Sequence, residues 1–258
     1  MILISNDDGT FAPGLHALAQ ALSSVQTAVV SAPDREQSAT GTSITLRMPL
    51  RVRATDPVVK GVETFAVEGS PGDSVILGLE KLAPQATMVF SGINSGQNLG
   101  DDVLISGTVG AALQGYLRNI PSVALSVEAM QLSNLSVAGN LAALIAKHIA
   151  SGRLSQDLFL NVNLPPAPFE QMRGIVVTNL AHKTHIDSVK EGTDGRREYY
   201  WLERHKLDNP HSDDTDIWAI EHSYISITPL HTVLFDSPVK GIYSTLCNEL
   251  WHDLRAVV

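Results

Sequence analysis

The clearest candidates for chemistry in this sequence are two adjacent aspartates, Asp7 and Asp8, followed by Gly9. They come directly after residues 1–5, a short apolar run that is typical of a buried strand in a parallel sheet. Ligands bind at the carboxyl ends of such strands. Because neighbouring carboxylates repel each other, burying both favours a hard divalent cation such as Mg²⁺ or Mn²⁺. The alternative is a loop in which one aspartate caps the next helix and the other faces water.

A second polar segment, residues 91–98, follows another apolar strand and would share the same sheet edge if both strands are parallel. It contains Asn94 and Asn98, whose side chains offer carbonyl oxygens to a metal or amide donors to a substrate. Its closely spaced glycines would let backbone amides approach an anion. The alternative is a plain turn in which the asparagines bond to their own backbone.

A third segment begins a predicted helix with the small and hydroxyl residues Ser106, Gly107 and Thr108. The free amides and the dipole of a helix N-terminus suit a phosphate group, although a simple serine N-cap explains the same residues. No Gly-Lys-Ser/Thr follows the glycines, which excludes a Walker-type loop. The G-x-G-x-x-G dinucleotide fingerprint is also missing after the first strand.

Two single residues are weaker candidates. Ser38 lies in the polar loop 33–43, and an isolated serine in such a loop is usually solvated. His231 follows the end of a predicted strand, where a histidine can donate a proton near neutral pH, although a single histidine is more often structural. The other histidines lack a zinc-ligand spacing such as His-Glu-x-x-His, which argues against a zinc site.

Strands and helices alternate through the first 164 residues, which predicts an α/β fold with a mostly parallel sheet flanked by helices. The predicted strands cover residues 1–5, 27–32, 44–53, 63–67, 88–90 and 122–127. One predicted helix begins near Pro13, and three more cover residues 70–82, 108–117 and 132–151. Residues 91–107 are predicted to form a long loop.

The character of the chain changes after Leu164, where several prolines mark a connection. We therefore predict an α/β core carrying the site over residues 1–165 and a C-terminal region over residues 166–258. In that region the charged segment 182–216 is interpreted as a projecting hairpin, a flexible lobe or a partner-binding arm. The predicted elements are strands at 174–178, 199–202 and 224–227, and a helix at 243–254 for oligomerisation.

Composition limits the classes of function. The 258 residues carry a formal net charge of -9, which argues against broad binding of nucleic acid. The single cysteine, Cys247, excludes an intrachain disulfide, and the N-terminus lacks the basic region of a signal peptide. The apolar stretch 132–150 contains polar side chains, so we interpret it as a core helix and not as a membrane span. The expected location is the cytoplasm.

Taken in order, these segments resemble the SurE family, the stationary-phase survival proteins that act as metal-dependent nucleotidases. The matching pieces span nearly the whole chain in family order, which makes the set specific although each piece is short. They are residues 5–9 with 12–14, 32–34 with 37–38, 69–73, 91–94 continuing to 98–102, 106–110 and 226–231.

The resemblance implies that Asp7, Asp8, Ser38 and Asn94 coordinate one divalent metal per subunit, either Mg²⁺ or Mn²⁺. It also implies a Rossmann-like core and a C-terminal segment that is exchanged between subunits of a homodimer or homotetramer. One departure from the family pattern is Ala39, which stands beside Ser38 where the family often has glycine.

The sequence thus favours a phosphomonoesterase that hydrolyses nucleoside monophosphates, a 5′-nucleotidase whose activity on 3′-nucleotides is left open. A non-catalytic nucleotide or phosphate sensor built on the same residues is the competing hypothesis. In the enzyme, the phosphate would be held by Asn98, Ser106, Gly107 and Thr108.

For the chemical step, Asp7 and Asp8 would hold the metal, which polarises the phosphoryl oxygens and acidifies a water. Direct attack by Asp7 or Asp8, forming an aspartyl-phosphate, is the alternative. His231 is the candidate acid that protonates the leaving group.

Overall fold

The computed structural model describes residues 1–128, 130–182, 184–207 and 210–232. The strands are Ile2–Ser5 (β1), Ala28–Pro33 (β2), Val52–Ala54 (β3), Glu63–Val67 (β4), Met88–Ser95 (β5), Ser122–Val127 (β6), Phe159–Leu164 (β7), Gly174–Val177 (β8), His185–Thr193 (β9), Glu198–Lys206 (β10) and Tyr224–Pro229 (β11). The α-helices are Pro13–Ser23 (α1), Pro71–Leu77 (α2), Gly107–Tyr116 (α3), Leu132–Ala150 (α4) and Asp216–Glu221 (α5).

The main sheet has nine strands in the order β3-β4-β2-β1-β5-β6-β7-β11-β8. From β4 to β7 every neighbouring pair is parallel. At the two ends, β3 runs antiparallel to β4, and β11 runs antiparallel to β7 but parallel to β8. This mostly parallel sheet with flanking helices confirms the α/β fold that the alternating pattern predicts.

Helices cover both faces of the sheet. On one face, α1 and α4 pack through leucines and isoleucines at helical spacing, such as Leu15, Leu18 and Ile145, against Ile4 and Phe90 of the sheet. On the other face, α2 and α3 pack against smaller clusters. All four residues of β1 are buried because both faces of this central strand are covered, which explains why its sequence is continuously apolar.

The strand order creates a crevice at the carboxyl end of β1. This strand lies between β2 and β5, so the chain passes to one side of β1 first and returns later on the other side. At such a reversal the connecting loops diverge and leave a ligand-binding crevice outside the carboxyl ends of the strands. The loops after β1 and β2 and the end of β5 therefore meet at one edge, as the position of the aspartate pair predicts.

Several element predictions need correction. Residues 44–53 were expected to be extended, but only β3 at their end is a strand, and the residues before it form bends and irregular structure. The predicted loop 91–107 is shorter than expected because β5 continues to Ser95 and a 3-10 turn occupies Gly100–Leu104. Helix α2 passes into a π-helical turn at Gly78–Leu82. The sequence did not predict β7, β9 or α5.

The charged segment after residue 182 forms an antiparallel hairpin of β9 and β10, the first of its three interpretations. The base of the hairpin docks on the 3-10 turn that precedes α3. Arg204 Nη2 lies 2.9 Å from Asp102 Oδ1, and the Thr184 N–H donates to Asp101 Oδ2 at 3.0 Å. The hairpin is therefore attached to the loop that leads into α3.

The C-terminal predictions are only partly covered. The predicted helix 243–254 and Cys247 lie outside the described residues. The boundary at residue 165 stays a prediction, although β8 and β11 from beyond it extend the same sheet as β1 to β7. Over the described residues, no helix has the length and apolar character needed to span a membrane.

Candidate active site

The aspartate pair sits in a tight turn at the carboxyl end of β1. Asp7 is buried with 5% of its surface exposed, whereas Asp8 is half-buried. Asn6 Nδ2 donates to the Gly9 carbonyl oxygen at 3.0 Å and closes the turn. Gly9 has a φ of +97°, and a Cβ there would lie 3.1 Å from the carbonyl carbon of Arg35. The turn thus requires glycine, and it holds both carboxylates at the edge of the sheet.

The N-terminus of α3 contacts Asp7 directly. Thr108 Oγ1 donates to Asp7 Oδ1 at 2.5 Å, and a Cβ on Gly107 would lie 2.9 Å from Asp7 Oδ2. Ser106 is the N-cap of the helix, because its hydroxyl oxygen accepts the Val109 N–H at 3.2 Å. The cap interpretation of Ser106 is therefore correct, and the small residues after it allow the first turn of α3 to approach the carboxylate.

The end of β5 meets Asp8. The Ser95 N–H donates to Asp8 Oδ2 at 3.1 Å, which places neighbouring Asn94 beside the aspartate pair. The side-chain nitrogen of Asn94 donates to the Gly96 carbonyl oxygen at 2.7 Å. This bond engages the amide nitrogen, so the carbonyl oxygen of Asn94 is the atom that remains for a ligand.

The loop after β2 completes the edge. The Gln37 N–H donates to the Asp7 carbonyl oxygen at 2.8 Å, which ties this loop to the aspartate turn. Ser38 Oγ donates to Glu36 Oε1 at 2.6 Å, so the lone pairs of the serine oxygen stay available. Ala39 has a φ of +56°, in the left-handed region that favours glycine. The alanine that departs from the family pattern therefore occupies a strained position next to Ser38.

The two carboxylates have raised pKa values. Burial raises the pKa of Asp7 to about 6, the Thr108 hydroxyl bond opposes the shift, and the charge of Asp8 adds to it. Burial also raises the pKa of Asp8, with the Ser95 N–H opposing and the charge of Glu36 adding. Among the described residues no ion pair joins either aspartate to a basic side chain. The pair therefore lacks a protein counter-charge there.

Asn98 lies in the same loop as Asn94 but is held differently. Its side-chain Nδ2 donates to Ser126 Oγ at 2.8 Å, and 7% of its surface is exposed. The amide group has a second N–H, which is free to donate a hydrogen bond to a phosphate oxygen. The structure thus places Asn98 against β6 and β7.

His231 lies away from the other predicted site residues within the chain. It follows β11, whose antiparallel pairing puts Pro229 opposite Leu160 at the start of β7. This is the sheet edge opposite to the one that carries Asp7. In addition, β11 is separated from β1 by β5, β6 and β7, or four inter-strand spacings of about 4.8 Å. The predicted role of His231 as an acid stays a prediction.

Sequence reasoning missed Glu36 and Ser95. Glu36 accepts the Ser38 hydroxyl and raises the pKa of Asp8. The sequence indicates this role only by an acidic residue two positions before Ser38. Ser95 acts through its backbone N–H, which no residue type reveals. The interactions of Glu36 and Ser95 with Asp8 depend on loops that become neighbours only after the sheet has formed.

The raised pKa of Asp7 leads to a stability prediction. A carboxyl whose folded-state pKa is raised from 3.8 to about 6 disfavours folding once it ionises, so the metal-free protein loses stability as pH rises through this window. We expect Asp7→Asn to stabilise the metal-free protein at pH 7.5 by on the order of 2 kcal/mol. The gain should shrink toward zero near pH 4, and urea unfolding with a chelator present measures it.

The exposed Asp157 provides the matched control, because Asp157→Asn makes the same chemical change on an exposed side chain. The control should alter the free energy of unfolding by only a few tenths of a kcal/mol at either pH. An Asp7→Asn protein that is no more stable than the parent at pH 7.5 would contradict the buried, unbalanced charge.

Residues 2–187 match the family model described as "Survival protein SurE". A relative from Dehalococcoides mccartyi (strain CBDB1), named 5′-nucleotidase SurE, is 56% identical over 92% of this chain and 91% of its own length. A protein of the same name from Pelotomaculum thermopropionicum is 44% identical over 91% of this chain and 90% of its own length.

A solved structure is also similar. The crystal structure of the SurE protein from Aquifex aeolicus has a TM-score of 0.79 and 34% sequence identity, covering 95% of this chain and 98% of that one. The sequence and structural similarities extend over nearly the full length of both proteins. The chain therefore belongs to the SurE family.

Proposed function

We propose that this chain is a metal-dependent phosphomonoesterase, a 5′-nucleotidase that converts nucleoside 5′-monophosphates to nucleoside and phosphate. The observation that carries the proposal is the contact between Asp7 and the N-terminus of α3, which sets a pair of carboxylates beside an anion-binding helix end. The relatives named 5′-nucleotidase SurE support the choice of substrate.

The donor atoms at this edge fit a hard divalent cation. Asp7 and Asp8 supply carboxylate oxygens with raised pKa values, and Ser38 and Asn94 supply neutral oxygens whose own donor groups are already engaged. Within the described residues no three His, Cys, Asp or Glu side chains converge as a metal cluster. A set of two carboxylates with neutral oxygens suits Mg²⁺ or Mn²⁺ better than zinc.

The residues around the proposed cation have separate roles in binding the phosphate. When bound, the cation would withdraw charge from the phosphoryl oxygens and acidify a water. The first turn of α3, from the Ser106 cap through Gly107 and Thr108, provides N–H groups and the positive end of the dipole for the phosphate. In the proposal the second N–H of Asn98 adds a donor from the neighbouring loop.

Water is the nucleophile in this proposal, and not an aspartate. Asp7 accepts the Thr108 hydroxyl, and Asp8 accepts the Ser95 N–H. In this proposal the remaining oxygens of both carboxylates bind the cation, which leaves a water to attack the phosphorus. The two aspartates therefore act by holding and orienting.

We also propose that the β9–β10 hairpin assembles the chain into a homodimer or homotetramer. A two-stranded hairpin is marginally stable alone, and this one exposes large apolar side chains. They are Ile186, Val189, Tyr199, Tyr200, Trp201 and Leu202. Because residues on alternate positions face opposite sides, both faces of the hairpin present apolar surface that a second copy would cover.

The enzyme proposal predicts that Asp8→Asn removes most phosphatase activity. Replacing one carboxylate weakens the hold on the cation, and losing several kcal/mol of transition-state stabilisation lowers kcat/KM by about 100-fold or more. The measurement is phosphate release from 5′-AMP with Mg²⁺ or Mn²⁺ and with a chelator. The exposed Asp157→Asn variant is the matched control and should keep its activity.

Unchanged activity in the Asp8→Asn protein would contradict the proposed site. A parent protein that binds 5′-AMP in the presence of metal but releases no phosphate would instead favour the nucleotide-sensor hypothesis.

The assembly proposal predicts a smaller particle when the apolar hairpin surface is made polar. The double variant Trp201→Ser with Leu202→Ser changes both faces of β10, and light scattering should report a lower mass. The double variant Leu132→Ser with Phe169→Ser removes two similarly exposed apolar side chains outside the hairpin and should keep the parent mass. Equal masses for all three proteins would count against assembly through the hairpin.

A further inference from the structure

Strand β7 carries two asparagines that its position does not explain. Asn161 and Asn163 alternate with Leu160, Val162 and Leu164, and both asparagines are fully buried. Asparagine is depleted in strands, and a buried amide is costly unless its hydrogen bonds are satisfied. Two such residues in one central strand therefore need a partner that repays their burial.

The backbone of Asn98 satisfies Asn163 and the side-chain nitrogen of Asn161, whereas Asn161 Oδ1 is buried without a hydrogen-bond partner among the described residues. The Asn98 N–H donates to Asn163 Oδ1 at 2.8 Å, and Asn163 Nδ2 donates back to the Asn98 carbonyl oxygen at 3.0 Å. Asn161 Nδ2 donates to the same carbonyl oxygen at 2.8 Å. Both backbone groups of one loop residue are thus bound by side chains of β7, which fixes its position as a strand neighbour would.

Asn98 is also held through its side chain and its flanks. Its Nδ2 donates to Ser126 Oγ at 2.8 Å, and Gln97 Nε2 donates to the Leu164 carbonyl oxygen at 2.9 Å. In the sheet, Asn163 is in register with Ser126, and Ser126 with Asn94. The asparagine that holds the loop therefore lies level with the proposed metal ligand, two strands away.

Asn98 lies within the segment that connects the two halves of the proposed site. Asn94 lies four residues before Asn98, and the Ser106 cap of α3 lies eight residues after it. A shift of the Asn98 backbone would therefore move the neutral metal ligand and the start of the phosphate-binding turn together. Misplacing reacting groups by about 1 Å can cost about 100-fold in rate.

We propose that Asn163, assisted by Asn161, is a positioning residue for the active site. It acts by holding the backbone of Asn98 so that Asn94 and the N-terminus of α3 face the same ligand. The inference rests on the proposed function for its catalytic consequence, but its effect on loop order and on metal binding can be measured without catalysis.

The test compares three variants with the parent protein. Asn163→Leu removes both bonds to Asn98 while keeping a side chain of similar size, and Ser126→Ala is a milder change that removes only the bond to the Asn98 side chain. Ser31→Ala is the matched control, because it removes one buried hydroxyl bond, to the Ser74 carbonyl oxygen, away from this loop.

Three readouts separate positioning from plain stability. Hydrogen exchange of the metal-free protein reports the protection of residues 95–106, Mn²⁺ titration followed by electron paramagnetic resonance gives Kd, and steady-state kinetics with 5′-AMP gives kcat and KM. We expect Asn163→Leu to lose protection in this segment, to weaken Mn²⁺ binding about 10-fold or more and to lower kcat about 10- to 100-fold. Ser126→Ala should show the same pattern with changes of about 3- to 10-fold, whereas Ser31→Ala should lower only the Tm.

An Asn163→Leu protein that only melts earlier, with unchanged exchange, Mn²⁺ affinity and kcat, would overturn the inference. If Asn163→Leu fails to fold, Asn161→Leu, which removes only the bond to the Asn98 carbonyl oxygen, decides by the same three readouts. If the parent releases no phosphate, the proposed function fails, and the exchange and Mn²⁺ results still judge Asn163.

Discussion

The contact between the Asp7 carboxylate and the first turn of α3 is the constraint on which the rest of the site depends. It brings a buried negative charge to the positive end of a helix, where Thr108 donates to it and Gly107 leaves room for it. This arrangement offsets part of the cost of burying Asp7, yet its pKa still rises to about 6 because burial and the charge of Asp8 outweigh the hydrogen bond. The remaining imbalance is what a cation would relieve.

The sheet and its loops position the two partners of this contact. Placing β1 between β2 and β5 makes three chain segments converge at one edge, and Gly9 allows the aspartate turn to pass close to the backbone of Arg35. The loop after β5 is secured by buried asparagines of β7 on one side and by the hairpin base at Asp101 and Asp102 on the other. The site thus combines a rigid floor with a loop that is anchored at several points.

Much of this architecture could be predicted because its signals are local. The apolar run before Asp7 and the alternation of elements are encoded within short windows, and both agree with the structure. Strand β7 could not be predicted because Asn161 and Asn163 weaken its strand pattern. Their side chains bind the backbone of Asn98, which is distant in sequence. The effect of Glu36 on the pKa of Asp8, and the position of His231 at the opposite edge, likewise depend on tertiary topology that no window of sequence contains.

In the proposed site, oxygen atoms from separate segments surround one cation at the carboxyl edge of the sheet. Anomalous diffraction from crystals soaked in Mn²⁺ can locate that cation. We expect a single strong peak per chain between the carboxylates of Asp7 and Asp8, within coordination distance of the Asn94 carbonyl oxygen and Ser38 Oγ. A peak at another place on the chain, or none at this edge at saturating Mn²⁺, would rule out this site.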